Sequence, residues 1–242
     1  MKLDIIAFGV HPDDVELSCA GVLLVEKKIG KKTGIIDLTA GELGTRGDGE
    51  IRKQEAAHAA RILGVEIREN LNMSDGFFLN DETNQRKIIT MLRRYQPEII
   101  LCNAPADRHP DHGRSAKLVE DAAFLSGLQK IETTDDGHVQ KAWRPKYVLH
   151  YIQDRFLKPD FVVDITEVFE QKLEAIKAFA TQFHQEGMEG PQTYISTPDF
   201  LDSVVYRHKW FGKMIGVKYA EGFISQKQIG IRNFDALIKQ NT

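Results

Sequence analysis

Much that would classify this chain quickly is scarce in it. Only two cysteines, Cys19 and Cys102, occur in 242 residues. Both sit in apolar surroundings, so a disulfide framework and a cysteine-type structural zinc site are excluded, and the thiols read as those of a reducing cytosol. No apolar run is long enough to span a bilayer, and no signal-peptide pattern precedes the first apolar stretch; the expected location is the cytoplasm. Neither charge sign dominates: 32 Lys and Arg stand against 35 Asp and Glu, a net charge of −3. That balance gives no basis for a nucleic acid or membrane partner. Repeats, low-complexity tracts and linkers are also absent. A single domain over 1–242 is expected, with a core over about 1–126 and the remainder completing the sheet and the site.

Glycines are missing where a nucleotide-binding protein would need them. The apolar run Leu3 to Phe8 reads as a buried parallel strand. Val15, Leu17, Ala20, Leu23, Leu24 and Val25 then recur at helical spacing. The turn between them is Gly9-Val10-His11-Pro12-Asp13-Asp14. A glycine-rich turn here would rest a pyrophosphate on the helix N-terminus. Two carboxylates and an imidazole would repel a phosphate and suit a cation.

What is present is a regular alternation of strand and helix patterns. Strands are expected at Thr33 to Leu38, Val65 to Leu71 and Glu98 to Cys102. Helices are expected from Gly49 to Leu63, closed by Gly64, from Asp81 to Tyr95, and from Pro110 to Leu125. Alternation of this kind predicts an α/β, Rossmann-like three-layer fold with a mainly parallel sheet and right-handed crossovers. With strand order 3-2-1-4, strands one and four are neighbours where the order reverses, and their C-terminal ends frame the active site. Further on, Gln129 to Arg144 reads as an exposed excursion, and Lys146 to Ile152 and Phe161 to Ile165 as strands. A long helix is expected to begin near Thr166, its N-cap, and to reach about Gln185. Gly187 to Pro198 reads as a loop over the site, Leu201 to Met214 as a helix, and Lys218 to Phe223 as a last ordered element.

The loop after strand four carries Asp107-Arg108-His109-Pro110-Asp111-His112. Topology therefore brings a second His/Asp cluster beside the first. A catalytic zinc site needs three ligands of the His, Asp or Glu type and one open position. His11, Asp14 and His112 supply that count across the crevice. Asp13 and His109 then remain unligated and reactive beside the metal, and an acid and a base flanking a zinc-bound water are the outfit of a hydrolase. Taken singly, each residue has a plainer role: Asp13 and Asp14 would complement a helix dipole, and the histidines would be surface polar groups. His58, His138, His150, His184 and His208 lack such company and read as structural or solvated.

The pair His11-Pro12-Asp13-Asp14 and His109-Pro110-Asp111-His112, with Gly41 to Gly47, Arg52 and Tyr219-Ala220-Glu221-Gly222-Phe223, resembles the LmbE-like (PIG-L) family of zinc-dependent N-acetylglucosamine deacetylases. The branch it looks most like acts in bacillithiol biosynthesis on N-acetylglucosaminyl malate. One departure is that Val15 follows the Asp pair, with Glu16 one position later. The resemblance implies one Zn2+ per chain on His11, Asp14 and His112, a site iron would also suit. It implies Asp13 as the base that lets a zinc-held water attack the amide, and His109 facing the oxyanion. It also implies Arg52 as a substrate-binding arginine, able to clamp a carboxylate, and a homo-oligomer, trimer or hexamer. Tyr194 is a second candidate hydrogen-bond donor to substrate. Either Asp13 or His109 supplies the proton to the leaving amine. The alternatives are a deacylase of another N-acetylated sugar or amine, or a metal- or carbohydrate-binding module without turnover.

Overall fold

The computed structural model describes residues 1–184, 190–231 and 233–237. The chain runs β1 (Ile5–Gly9), α1 (Asp14–Ser18), α2 (Ala20–Lys28), β2 (Thr33–Thr39), α3 (Gly49–Leu63), β3 (Ile67–Met73), α4 (Glu82–Tyr95), β4 (Ile99–Cys102) and α5 (Pro110–Leu125). After these come a small hairpin, β5 (Thr134–Asp135) and β6 (His138–Val139), then β7 (Tyr147–Tyr151), β8 (Phe161–Asp164), α6 (Phe169–Lys177), α7 (Phe200–Ile215) and β9 (Ala220–Ser225). The main sheet has the order β3-β2-β1-β4-β7-β9-β8. Its β3, β2, β1, β4 and β7 pair in parallel, while β9 runs antiparallel to both β7 and β8. The expected order 3-2-1-4 and the mainly parallel sheet are thus present.

Alternation along β1 explains the layering. Ile5 and Ala7 enter the core shared with α2, α3, α6 and α7, whereas Ile6 and Phe8 enter the core under α4 and α5. A strand covered on both faces must be apolar throughout, and β1 is buried at every residue. Helix ends follow local chemistry. The Asp48 and Asp81 side chains accept from Ile51 N and Asn84 N, each at 2.9 Å. Gly64 closes α3 at φ 63°, the left-handed conformation glycine adopts without strain. No helix among the described residues is long and apolar enough to cross a membrane.

Several local expectations are corrected. The first helix is two: Cys19, at φ −135° and ψ 8°, separates α1 from α2. Apolar spacing does not register the break, because both pieces face the same core. The break is held by groups from the C-terminal third. Arg207 Nη2 donates to Leu17 O at 3.0 Å, and the Glu221 carboxylate accepts from Gly21 N and Val22 N at 2.8 and 2.7 Å. Strand three begins two residues later than expected. Thr166 does not cap a long helix: it opens a 3-10 turn, Thr166–Val168, its own N–H donating to Asp164 Oδ1 at 2.9 Å. The helix that follows ends at Lys177. Gln185 and part of the expected Gly187 to Pro198 loop lie outside the described residues; Gly190 to Asp199 is irregular.

Candidate metal and hydrolytic site

The loops after β1 and β4 meet as the strand order requires. His11 leaves β1, Asp14 opens α1, and His109 and His112 flank the start of α5. Pro110 takes the first helical position, where a missing N–H costs nothing. His109 is the N-cap, its Nδ1 accepting from Asp111 N at 3.3 Å. Nitrogens of His11, His109 and His112 lie within 4.8 Å of one another. His112 Nε2 is 3.3 Å from Asp14 Oδ1, and His11 Nδ1 is 3.8 Å from Asp14 Oδ2.

Neighbouring groups fix which atoms point inward. His11 Nε2 is 2.9 Å from Asp75 Oδ1, and His112 Nδ1 is 2.7 Å from Asp107 Oδ2. Each imidazole therefore has its outer nitrogen on a carboxylate and its inner one turned toward Asp14, the pattern by which histidine ligands are oriented. Asp14 Oδ2 accepts from Val10 N, His11 N and Asn103 Nδ2 at 2.9, 3.1 and 3.1 Å, while Oδ1 accepts from Gln153 Nε2 at 2.8 Å. Oδ1 is thus the oxygen with capacity left. Burial pushes Asp14 up, but His112, His11 and the Gln153 bond outweigh it and hold the carboxyl well below its usual range. Burial also opposes charge on His112, yet Asp14 and Asp107 raise it to about 10. The protein thus stabilises a positive charge between these groups, and the donor set of two imidazoles and a carboxylate fits a divalent zinc-type ion.

Asp13 is differently placed. It is 4% exposed and adopts φ 135°, a region few residues other than glycine occupy. Burial, reinforced by Asp14 and opposed by Arg52, raises its carboxyl to about 7. Arg52 is 5% exposed. Its Nη1 donates to Gly41 O at 3.1 Å, and its Nη2 reaches Pro12 O at 3.1 Å and Asp13 Oδ2 at 3.3 Å. Arg52 thus lies in the cavity wall, its head against Asp13. Gly41 permits this, since a Cβ there would stand 2.1 Å from Arg52 Nη1.

Burial, with His11 and His112 nearby, lowers His109. With Nδ1 accepting from Asp111, neutral His109 carries its proton on Nε2. Tyr194 is half exposed; its hydroxyl donates to Asp154 Oδ1 at 3.0 Å and its ring lies 4.3 Å from the Arg108 guanidinium. His11, Asp13, Arg52, His109, His112 and Tyr194 all line one cavity of about 320 Å3. Glu16 does not; it is buried at 2.5 Å from Arg68 Nη1, in a network with Asp37. His150 is buried between Asn103 O and Glu120 Oε1, each at 2.7 Å.

Sequence reasoning missed Asp75, Asn103 and Gln153, and named Asp107 only as part of its cluster. Asn103 directly follows β4, and Asp75 and Gln153 each lie two residues beyond β3 and β7. Polar residues just past the C-terminal ends of parallel strands were the signal available.

Comparison with known proteins adds independent findings. A family model described as PIG-L, GlcNAc-PI de-N-acetylase, matches residues 6–123. Diacetylchitobiose deacetylase of Thermococcus kodakarensis is 29% identical over 88% of this chain and 79% of its own. 4-Oxalmesaconate hydratase of Pseudomonas putida is 26% identical over 73% and 72%. A probable N-acetyl-alpha-D-glucosaminyl L-malate deacetylase of Bacillus subtilis is 25% identical over 78% and 86%. Among solved structures, a conserved protein of Thermus thermophilus is 33% identical with a TM-score of 0.84, covering 95% of this chain and 97% of its own. The N,N'-diacetylchitobiose deacetylase of Pyrococcus horikoshii is 26% identical with a TM-score of 0.79, over 92% and 83%.

Proposed function

The chain belongs to the PIG-L (LmbE-like) family of deacetylases, and from that premise we propose that it hydrolyses the acetamide of an N-acetylglucosamine conjugate, N-acetylglucosaminyl malate foremost. The observation that carries the reading is Asp13, a strained, buried carboxylate set beside the convergent His11, Asp14 and His112 and raised to about 7. A pure binding site has no use for such a group.

His11, Asp14 and His112 would hold one zinc ion, with iron a chemically equivalent occupant. When bound, the ion supplies Lewis acidity that brings the pKa of water to about 7. Asp13 accepts a proton as water oxygen bonds to the acetamide carbon. His109 Nε2–H faces the oxygen on which charge develops, a donor of the kind worth about 3–4 kcal/mol. Because neutral imidazole is a poor acid, Asp13 returns its proton to nitrogen as the C–N bond breaks, leaving acetate and a free amine. Arg52 and Tyr194 border the space for sugar and aglycone.

The test measures acetate and amine release from N-acetylglucosaminyl malate and diacetylchitobiose, before and after chelation and zinc return. Zinc-dependent release of both products supports the reading, and the ratio of kcat/KM values identifies the aglycone. No acetate from either would refute it, a pertinent outcome given the hydratase relative. The proposed cytoplasmic homo-oligomer, a trimer or hexamer, is checked by cell fractionation and light scattering.

A further inference from the structure

Among the described residues, five buried side-chain atoms have no hydrogen-bond partner: Glu16 Oε2, Ser18 Oγ, Arg52 Nε, Gln140 Oε1 and Gln153 Oε1. Only Arg52 and Gln153 among their owners line the catalytic cavity. A buried acceptor left unpaired costs the full desolvation of that group, so each such atom at a site calls for a ligand. Gln153 is 8% exposed. Its orientation is set by chemistry: Nε2 lies 2.8 Å from Asp14 Oδ1, and an ionised carboxylate only accepts. Turning the amide over would place oxygen against oxygen. The orphan Oε1 is therefore held as an acceptor by the same contact that helps orient Asp14.

Substrates of the proposed reaction bring one donor at the reacting centre, the acetamide N–H. A secondary amide is planar and trans, so its N–H points away from its carbonyl oxygen. One group must face the oxygen and another must receive the N–H. In the proposed reaction Asp13 would serve the attacking water and Asp14 Oδ1 the cation, while Asp75 already accepts from His11 Nε2 and Leu43 N. Gln153 Oε1 is neutral and unused.

Resting on the deacetylase reading, we propose that Gln153 is a substrate-recognition residue whose Oε1 receives the scissile N–H, selecting N-acyl over O-acyl substrates. Gln153 neither gains nor loses a proton. As the nitrogen becomes an amine, the same contact keeps one N–H in place and turns the nitrogen lone pair toward the proton held by Asp13.

The experiment compares a 2-acetamido sugar with the same sugar carrying a 2-O-acetyl ester, which lacks the N–H. Wild type, Gln153→Leu and Gln153→Glu are assayed with zinc saturating. Gln153→Leu should lower kcat/KM for the amide about 10- to 100-fold more than for the ester, the discrimination one buried hydrogen bond gives. Gln153→Glu keeps an acceptor and should keep most of the amide preference even where zinc retention falls. Equal losses on both substrates in Gln153→Leu would overturn the proposal, since Gln153 would then act through Asp14 alone. Calorimetric affinities of the metal-free proteins for the two ligands give a readout without turnover. There the leucine variant should lose affinity for the amide alone, and unchanged amide binding counts against the proposal. Wild type that binds the amide yet releases no acetate refutes the deacetylase reading instead.

Discussion

Arg52 and Asp13 form a buried ion pair, Nη2 to Oδ2 3.3 Å, in the wall of the cavity that His11, His109 and His112 line. An arginine clamping an aglycone carboxylate would matter only for acidic substrates. One that fixes the base matters for every substrate, because the carboxylate must be held where it can meet the water. Arg52→Lys is expected to lower kcat at least about tenfold for neutral and acidic conjugates alike. A rise in KM restricted to the acidic conjugate would return Arg52 to the clamp role.

Gly41 gives the same relationship a second handle. It adopts φ 67°, and an added Cβ would stand 2.1 Å from Arg52 Nη1. Gly41→Ala should displace the guanidinium, lowering kcat as Arg52→Lys does, and cost about 1 kcal/mol or more from the left-handed backbone. Paired activity and thermal-melting measurements check it; full activity would show that the loop yields without moving Arg52.

Asp107 bears on the proposed metal site through His112. With Nδ1 of His112 at 2.7 Å from Asp107 Oδ2, Asp107→Asn removes the charge that orients the ring and makes Nε2 a better donor. Zinc affinity should fall about 10- to 100-fold, read by competition with a chromophoric chelator. His112→Ala should lose the ion outright with circular dichroism unchanged.

The topology and both His/Asp clusters were legible because strand order turns two distant stretches into neighbours. The helices expected at α3, α4 and α5 match nearly to the residue, Gly64 closing the first and Pro110 opening the last. The break at Cys19 was hidden, because Arg207 and Glu221, which hold it, come from almost two hundred residues away. Asp75, Asn103 and Gln153 were missed for a related reason. Each is a single polar residue whose meaning comes from a partner elsewhere, His11 in one case and Asp14 in the other two. Backbone strain at Asp13 left no mark in the sequence, since the residue type does not announce its φ.

His208 makes stability depend on pH. Burial, reinforced by Lys172 and Arg207, holds it neutral well below its ordinary 6.5. Its Nδ1 lies 2.6 Å from Val204 O. The unfolded chain takes up a proton there as pH falls through about 6.5, whereas the folded chain does not. The contribution is therefore complete above that value and declines below it. His208→Phe, beside the Phe169 ring, should show a shallower fall in Tm between about pH 7 and pH 5 than wild type. Equal slopes would place the acid sensitivity elsewhere.

The adjacent aspartates should separate cleanly. Asp14 sits in a cage of donors, with Val10 N, His11 N and Asn103 Nδ2 on one oxygen and Gln153 Nε2 on the other, and it faces His112 Nε2. Its charge is what the two histidines and the proposed cation would share. Asp13 turns instead toward Arg52 from a positive φ, and asparagine there keeps the size and shape of the side chain without its basicity. Asp13→Asn should therefore fold, retain zinc and lose kcat by at least about 100-fold, the loss expected when a general base is removed. Asp14→Asn should lose zinc and regain part of its activity in excess metal. Zinc content measured beside kcat for both variants decides the assignment. If Asp13→Asn loses metal while Asp14→Asn keeps it, base and ligand are exchanged, and the proton transfer proposed for Asp13 falls with them.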